Sequence, residues 1–169
     1  MKLFVCATVI TTLAPLAIAN DTDSIDTAVH AVYDVISGPA GTRDWARFHS
    51  LFAESARLIP IRTTPQGSLP AVMTPEDYEK RAGANFEKAA FYESEVARRV
   101  ETFGNIAHVF STYESRRAPG EKPFARGINS FQLVKTAAGW KIMTILWDSE
   151  REGHPLPEKY LASPKTAPN

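Results

Sequence analysis

The chain has 169 residues, nineteen basic against nineteen acidic, with 44% apolar residues and a single cysteine. Balanced charge without a block of five like charges excludes the basic stripe of a nucleic-acid surface and the basic amphipathic helix of an anionic-membrane binder. One cysteine excludes an internal disulfide framework, and the length fits one domain that must be stabilised by its core.

The first nineteen residues read as a leader. Met1-Lys2 supplies a short positive start, Leu3 to Ala14 is apolar, and Pro15 precedes the triplet Ala17-Ile18-Ala19, an A-x-A cleavage pattern. The run is too short for the roughly twenty apolar residues that span a bilayer. A buried N-terminal helix is disfavoured because the run has no amphipathic period and Asn20-Asp21-Thr22-Asp23 breaks it sharply. Cleavage after Ala19 would place the protein in the periplasm or the medium. It would also remove Lys2 and the lone Cys6, leaving eighteen basic against nineteen acidic residues and no thiol to bind metal or act as nucleophile. Cys6 is not in a lipoprotein arrangement.

Ser24 to Ser37 carries Ile25, Ala28, Val29, Val32, Val35 and Ile36 at helical spacing, with Asp23 or Ser24 as cap and Ser37-Gly38-Pro39 as terminator. Thr42 is a fitting cap for a second helix, which sets Trp45, Phe48, Leu51 and Phe52 on one side. Ala56 to Thr63 reads as a first strand whose Pro60 demands an edge or a bend. Residues 64–73, with two prolines and a glycine, read as a loop. Thr74-Pro75-Glu76-Asp77 opens a third helix with a cap, proline at the first position and acids at the positive end of the dipole; it extends to about Ala89. Four β-rich segments follow, at 91–103, 106–117, 125–136 and 140–149. They are separated by Gly104-Asn105, Ala118-Pro119-Gly120 and Ala137-Ala138-Gly139. Short connections predict an antiparallel meander, and helices before strands predict an α+β domain over residues 20–154. Residues 155–169 form a Pro- and Lys-rich tail that wraps the surface or is disordered. Strict alternation puts Glu93, Glu95, Arg99 and Glu101 on one face of the first long strand, as on a solvated or dimer-facing surface.

The order α-α-β-α-β-β-β-β, the stretch Trp45-Ala46-Arg47-Phe48-His49-Ser50-Leu51-Phe52 leading into a strand, and Ile128 to Val134 followed by Gly139-Trp140-Lys141-Ile142 resemble the nuclear transport factor 2-like superfamily. That superfamily includes ketosteroid isomerases, SnoaL-like polyketide cyclases and scytalone dehydratases. The resemblance implies three N-terminal helices packed in a strongly curved antiparallel sheet, a cone-shaped cystatin-like roll with an apolar interior. By the same analogy Trp45, Phe48, His49, Phe52, Tyr78, Phe86, Tyr113, Asn129, Phe131 and Trp147 line it. The competing reading is that these aromatics simply fill the cone. Relatives dimerise through the sheet, which implies a homodimer here.

The isomerases of that superfamily need a carboxylate base on the first strand and two hydrogen-bond donors. Ungapped matching puts one donor on Tyr33, the other on Asn129 and the base on Pro60, which cannot act; ketosteroid isomerase activity is therefore rejected. Cyclase or dehydratase chemistry uses His and Asp, and His49 is the best-placed acid or base; Asp44, Asp148 and Glu150 are further carboxylates. His49 also fits a hydrogen-bonded structural histidine, and Tyr33 a core tyrosine whose hydroxyl finds a partner. His30, His108 and His154 have no metal-ligand spacing, and G-x-S-x-G and phosphate-loop motifs are absent, so no metal or cofactor is expected. Three readings follow: an exported binding protein for a small apolar molecule, a cofactor-independent isomerase, dehydratase or cyclase using His49, Tyr33 and Asn129, or a protein-interaction domain with a filled cone.

Overall fold

The computed structural model describes residues 20–161; the leader 1–19 and the last eight tail residues lie outside them. Helix α1 spans Ile25–Ile36, and Ser24 and Thr27 form a reciprocal capping box at its start. Its apolar stripe is buried from Ala28 through Ile36, Tyr33 included. Helix α2, Trp45–Ser50, is capped by Asp44 rather than by Thr42. The difference has a local cause. Arg43 donates to the carbonyls of Ile36, Gly38, Pro39 and Gly41 and so holds the α1–α2 connection in place up to Asp44. Helix α3, Pro75–Phe86, starts with Thr74 and Asp77 in a second capping box and ends three residues earlier than its pattern suggests.

The six strands are β1 Phe52–Thr64, β2 Gly67–Pro70, β3 Tyr92–Phe103, β4 Ile106–Arg116, β5 Ala125–Thr136 and β6 Gly139–Ser149. They form one sheet in the order β2-β1-β6-β5-β4-β3. Strands β3 to β6 make the expected antiparallel meander. The first strand joins it parallel to β6, so the sheet is mixed. A short hairpin strand, β2, occupies part of the stretch expected to be loop. Its ladder covers only Ile61 to Thr64 of β1, just beyond Pro60. The helices fill the concave face of this curved sheet against Val109, Phe131, Leu133, Ile142 and Ile145.

One irregularity sets the chemistry. The β3–β4 register slips between Glu95 and Ala97, leaving Val96 as a bulge. The extra residue reverses the inward parity along β3. Glu93 and Glu95 precede it and point to the concave side, where Glu95 accepts from Ser111. Past it Arg98 points inward, reaching Asp26 of α1. Arg99 lies outside and donates to the Lys159 carbonyl of the tail. The expectation of one continuous charged face with Glu93, Glu95, Arg99 and Glu101 is thus corrected. Strict alternation fails at Val96, and two glutamates enter the interior.

The described part of the tail wraps the convex face. Tyr160 packs on Phe110, and its carbonyl accepts from Thr112 Oγ1. Among the described residues no helix is long and apolar enough to cross a membrane.

Candidate functional site

Between the helices and the concave face lies a half-open cavity of about 130 Å³. Its apolar wall combines Val32 and Ile36 from α1, Phe48 from α2 and Leu58 from β1 with Phe131 of β5 and Ile145 of β6. Tyr78, Phe91 and Trp147 complete the wall, and Glu93 and Asn129 form a polar pole. The volume is close to the ~150 Å³ of a dry protein cavity known to hold benzene. An apolar cavity with a few convergent polar groups is the usual form of a small-molecule site.

The pole is the end of a buried chain of hydrogen bonds whose proton directions can be assigned. Ser111 Oγ donates to Glu95 Oε2 at 2.5 Å, and Glu95 is ion-paired with Arg98. Having given its only proton to Glu95, Ser111 accepts from the Tyr33 hydroxyl at 2.7 Å. The Tyr33 oxygen then accepts from Asn129 Nδ2 at 3.0 Å. The same amide nitrogen donates to Glu93 Oε1 at 3.4 Å, and Ser115 Oγ donates to Glu93 Oε2 at 2.8 Å. The Glu93 backbone is tied to the end of α1, since its N–H donates to Ser37 Oγ. Tyr33 therefore aims its proton at Ser111 and away from the cavity. What the cavity meets is the Glu93 carboxyl and the Asn129 amide.

Burial pushes the Glu93 carboxyl up to about 7, against the hydrogen bonds from Ser115 and Asn129, which pull it down. Among the described residues no cation contributes to its shift. Burial, and secondarily the Glu93 charge, raises the hydroxyls of Tyr33 and Tyr78 above the usual phenol range, so both remain protonated at neutral pH. Tyr78 makes no side-chain hydrogen bond among the described residues and lines the cavity, leaving its hydroxyl available to a guest.

Of the three residues expected to share a catalytic role, the structure joins Tyr33 to Asn129 and separates His49 from both. His49 is clasped between two carboxylates of α3, with Nε2 2.6 Å from Glu79 Oε2 and Nδ1 3.6 Å from Glu76 Oε1. It lines a different, surface depression with Phe52. Of the expected lining, Phe48, Tyr78, Asn129, Phe131 and Trp147 face the cavity. Trp45 and Phe86 instead stack on each other outside it, their ring centroids 6.3 Å apart. Tyr113 reaches past the cavity to Ser149, with its hydroxyl 2.9 Å from Ser149 Oγ. Its ring crosses Gly127, where an added Cβ would fall 2.6 Å from the Tyr113 hydroxyl, a contact only glycine permits.

Glu93 is the residue that sequence reasoning missed. Its only signal was Phe91 two positions earlier, an aromatic of the same parity. The run of charges after it concealed that signal. Pro60, where a first-strand base would fall, pairs with Trp147 in the β1–β6 ladder. The structure offers its carboxyl from β3 instead. Among the described residues no cluster of three His, Cys, Asp or Glu side chains could hold a metal ion.

No protein-family model matches this sequence, and no curated protein matches it. Solved structures do match in fold. A protein of unknown function with a cystatin-like fold from Nostoc punctiforme is 11% identical, with a TM-score of 0.57 over 75% of this chain and 88% of that one. A nuclear transport factor 2-like superfamily protein from Salmonella enterica is 17% identical, with a TM-score of 0.53 over 78% of this chain and 88% of that one. A protein from Streptomyces avermitilis, provisionally assigned as a dehydratase of the same family, is 13% identical, with a TM-score of 0.55 over 75% and 94%. Helices cupped in a curved sheet around a cavity, together with these likenesses, identify the chain's fold as the nuclear transport factor 2-like, cystatin-like fold.

Proposed function

We propose that the protein binds a small, largely apolar molecule whose one polar group meets Glu93 and Asn129. The observation that carries this reading is the placement of those two side chains at one end of an otherwise apolar cavity. The polar pair fixes orientation, and the aromatic wall supplies contact area. A cavity of about 130 Å³ limits the enclosed part of the guest to about the size of benzene. The test is a two-dimensional NMR titration with a panel of small alcohols, ketones and amines. The reading expects saturable shifts at Phe48, Asn129 and Trp147; shifts confined to the surface across the whole panel would refute it.

A second reading is favoured by the position of Glu93 near neutrality. A carboxyl that loses its proton near 7 suits general base or acid work at neutral pH. As a cofactor-independent isomerase, dehydratase or cyclase, the protein would use Glu93 in the role expected of His49, with the unpartnered Tyr78 hydroxyl donating to a carbonyl oxygen. The provisional dehydratase assignment of the Streptomyces avermitilis protein agrees with this. Deuterium exchange at carbons next to a small ketone's carbonyl, abolished by Glu93→Gln, would support it; exchange no faster than in buffer would exclude it for those ketones.

Export completes the proposal. The leader ending at Ala17-Ile18-Ala19 directs the chain to the periplasm or the medium, where the mature protein starts at Asn20.

A further inference from the structure

Three features of the cavity point to one class of guest, given the small-molecule reading above. Five of its eleven lining residues are aromatic: Phe48, Tyr78, Phe91, Phe131 and Trp147. The faces of aromatic rings are electron-rich and attract cations, most strongly where water is excluded. The second feature is charge. Among the described residues Glu93 is the only carboxylate on the wall, and no lysine or arginine lines the cavity. The protein partners of the carboxyl are the neutral donors Ser115 and Asn129. A buried carboxylate without a counter-ion is costly, and a cationic guest would supply one. The third is hydrogen-bonding sense. The Arg98–Glu95–Ser111–Tyr33 chain orients Asn129 with its N–H groups toward Tyr33 and Glu93. Its amide oxygen is left without a protein donor among the described residues.

We propose that the cavity is a binding site for a small methylated ammonium ion, held by the faces of the aromatic wall and the Glu93 carboxylate. Size agrees, because a trimethylammonium group is of the order of the benzene that a cavity of ~150 Å³ accepts. A quaternary head needs no hydrogen-bond acceptor, so aromatic faces and one carboxylate satisfy it completely.

The charge that the guest meets depends on pH through Glu93. The titratable groups around that carboxyl are Tyr33 from α1, Tyr78 from α3, Tyr113 from β4 and Glu95 on its own strand. The tyrosines stay neutral through the range of interest, and Glu95 is paired with Arg98. Glu93 also borders an outer groove carrying His30, Asp34, Arg98 and Arg116. Of these, Arg98 and Arg116 are ion-paired to Glu95 and Glu114.

The test compares choline with its uncharged carbon analogue, 3,3-dimethyl-1-butanol, by isothermal titration calorimetry at constant ionic strength. The analogue has the same shape without the charge. Choline should bind at least about tenfold more tightly than the analogue near pH 8. The advantage should shrink toward about pH 5, as Glu93 takes up its proton. Glu93→Gln should reduce the advantage of choline over the analogue at high pH and remove its pH dependence. Trp147→Leu should weaken choline more than the analogue. Equal or tighter binding of the analogue to the wild type near pH 8 would overturn the ammonium inference while leaving a small-molecule pocket. No binding of either compound at millimolar concentration would overturn the inference, and the NMR fragment panel would then decide the pocket reading separately.

Discussion

Replacing Glu93 by Gln should stabilise the protein, and only above a definite pH. Folding carries the carboxyl from its ordinary value of 4.5 to about 7, chiefly by burial. Between those values the folded state keeps a proton that the unfolded chain has lost. The stability contribution of the neutral acid is therefore fully present below about 4.5 and is lost as pH rises through about 7. At about 1.4 kcal/mol for each tenfold change in proton affinity, the ionised carboxylate costs the fold about 3 kcal/mol above neutrality. The Glu93→Gln side chain would keep an acceptor for Ser115 Oγ and has no charge to desolvate. The assay is urea unfolding of both proteins at several pH values from about 4 to about 8.5, with the difference in unfolding free energy plotted against pH. The difference should be near zero at the acid end, grow in the variant's favour through about pH 5 to 7, and level off at about 2–3 kcal/mol. Parallel pH curves for the two proteins would refute the reasoning, since Glu93 would then ionise as it does in the unfolded chain.

Tyr33→Phe removes the hydroxyl that accepts from Asn129 and donates to Ser111, so it should cost about 1–3 kcal/mol by thermal or urea unfolding; a change below about 0.5 kcal/mol would mean that water replaces it. His49→Ala breaks a partly exposed clasp with Glu76 and Glu79, outside the cavity. It should cost no more than about 1 kcal/mol and leave ligand affinity in the NMR panel unchanged; a tenfold loss of affinity would restore His49 to the site. Intact mass of the protein recovered from the periplasm or medium of an expressing bacterium should match a chain beginning at Asn20; recovery of the full chain starting at Met1 would contradict the proposed leader.

The architecture was legible because its signals are local. Ser24 and Thr74 each begin a capped helix in the sequence and in the structure, and the glycine-centred breaks at 104, 120 and 139 separate the four long strands. The parallel seating of β1 on β6 was not legible, since no periodicity within one strand names its neighbour. The site divided along the same line. Phe48, Tyr78, Phe131 and Trp147 lie on inward faces set by regular helix or strand spacing, and they do line the cavity. Trp45, Phe52 and Phe86 are packed among the helices and β1, where apolar bulk says nothing of which void it borders. Glu93 was hidden by the bulge at Val96, which changes the parity of β3 midway and makes an inward carboxylate look like part of an outer charged stripe. His49 looked catalytic because it follows Phe48. One residue along a short helix turns the side chain by about 100°, away from the cavity and onto α3.

The central claim, a small cavity that ends in Glu93 and Asn129, is tested most directly by high-resolution electron density of the protein beginning at Asn20, purified without added ligand. The account predicts an open cavity of about 130 Å³ between Phe48, Tyr78 and Trp147. Asn129 Nδ2 should lie within hydrogen-bonding distance of Tyr33, and the Glu93 carboxyl should face the space, with or without density for a guest beside it. Rings of Phe48, Tyr78 and Trp147 closed over that space, with Glu93 turned out toward solvent, would contradict it.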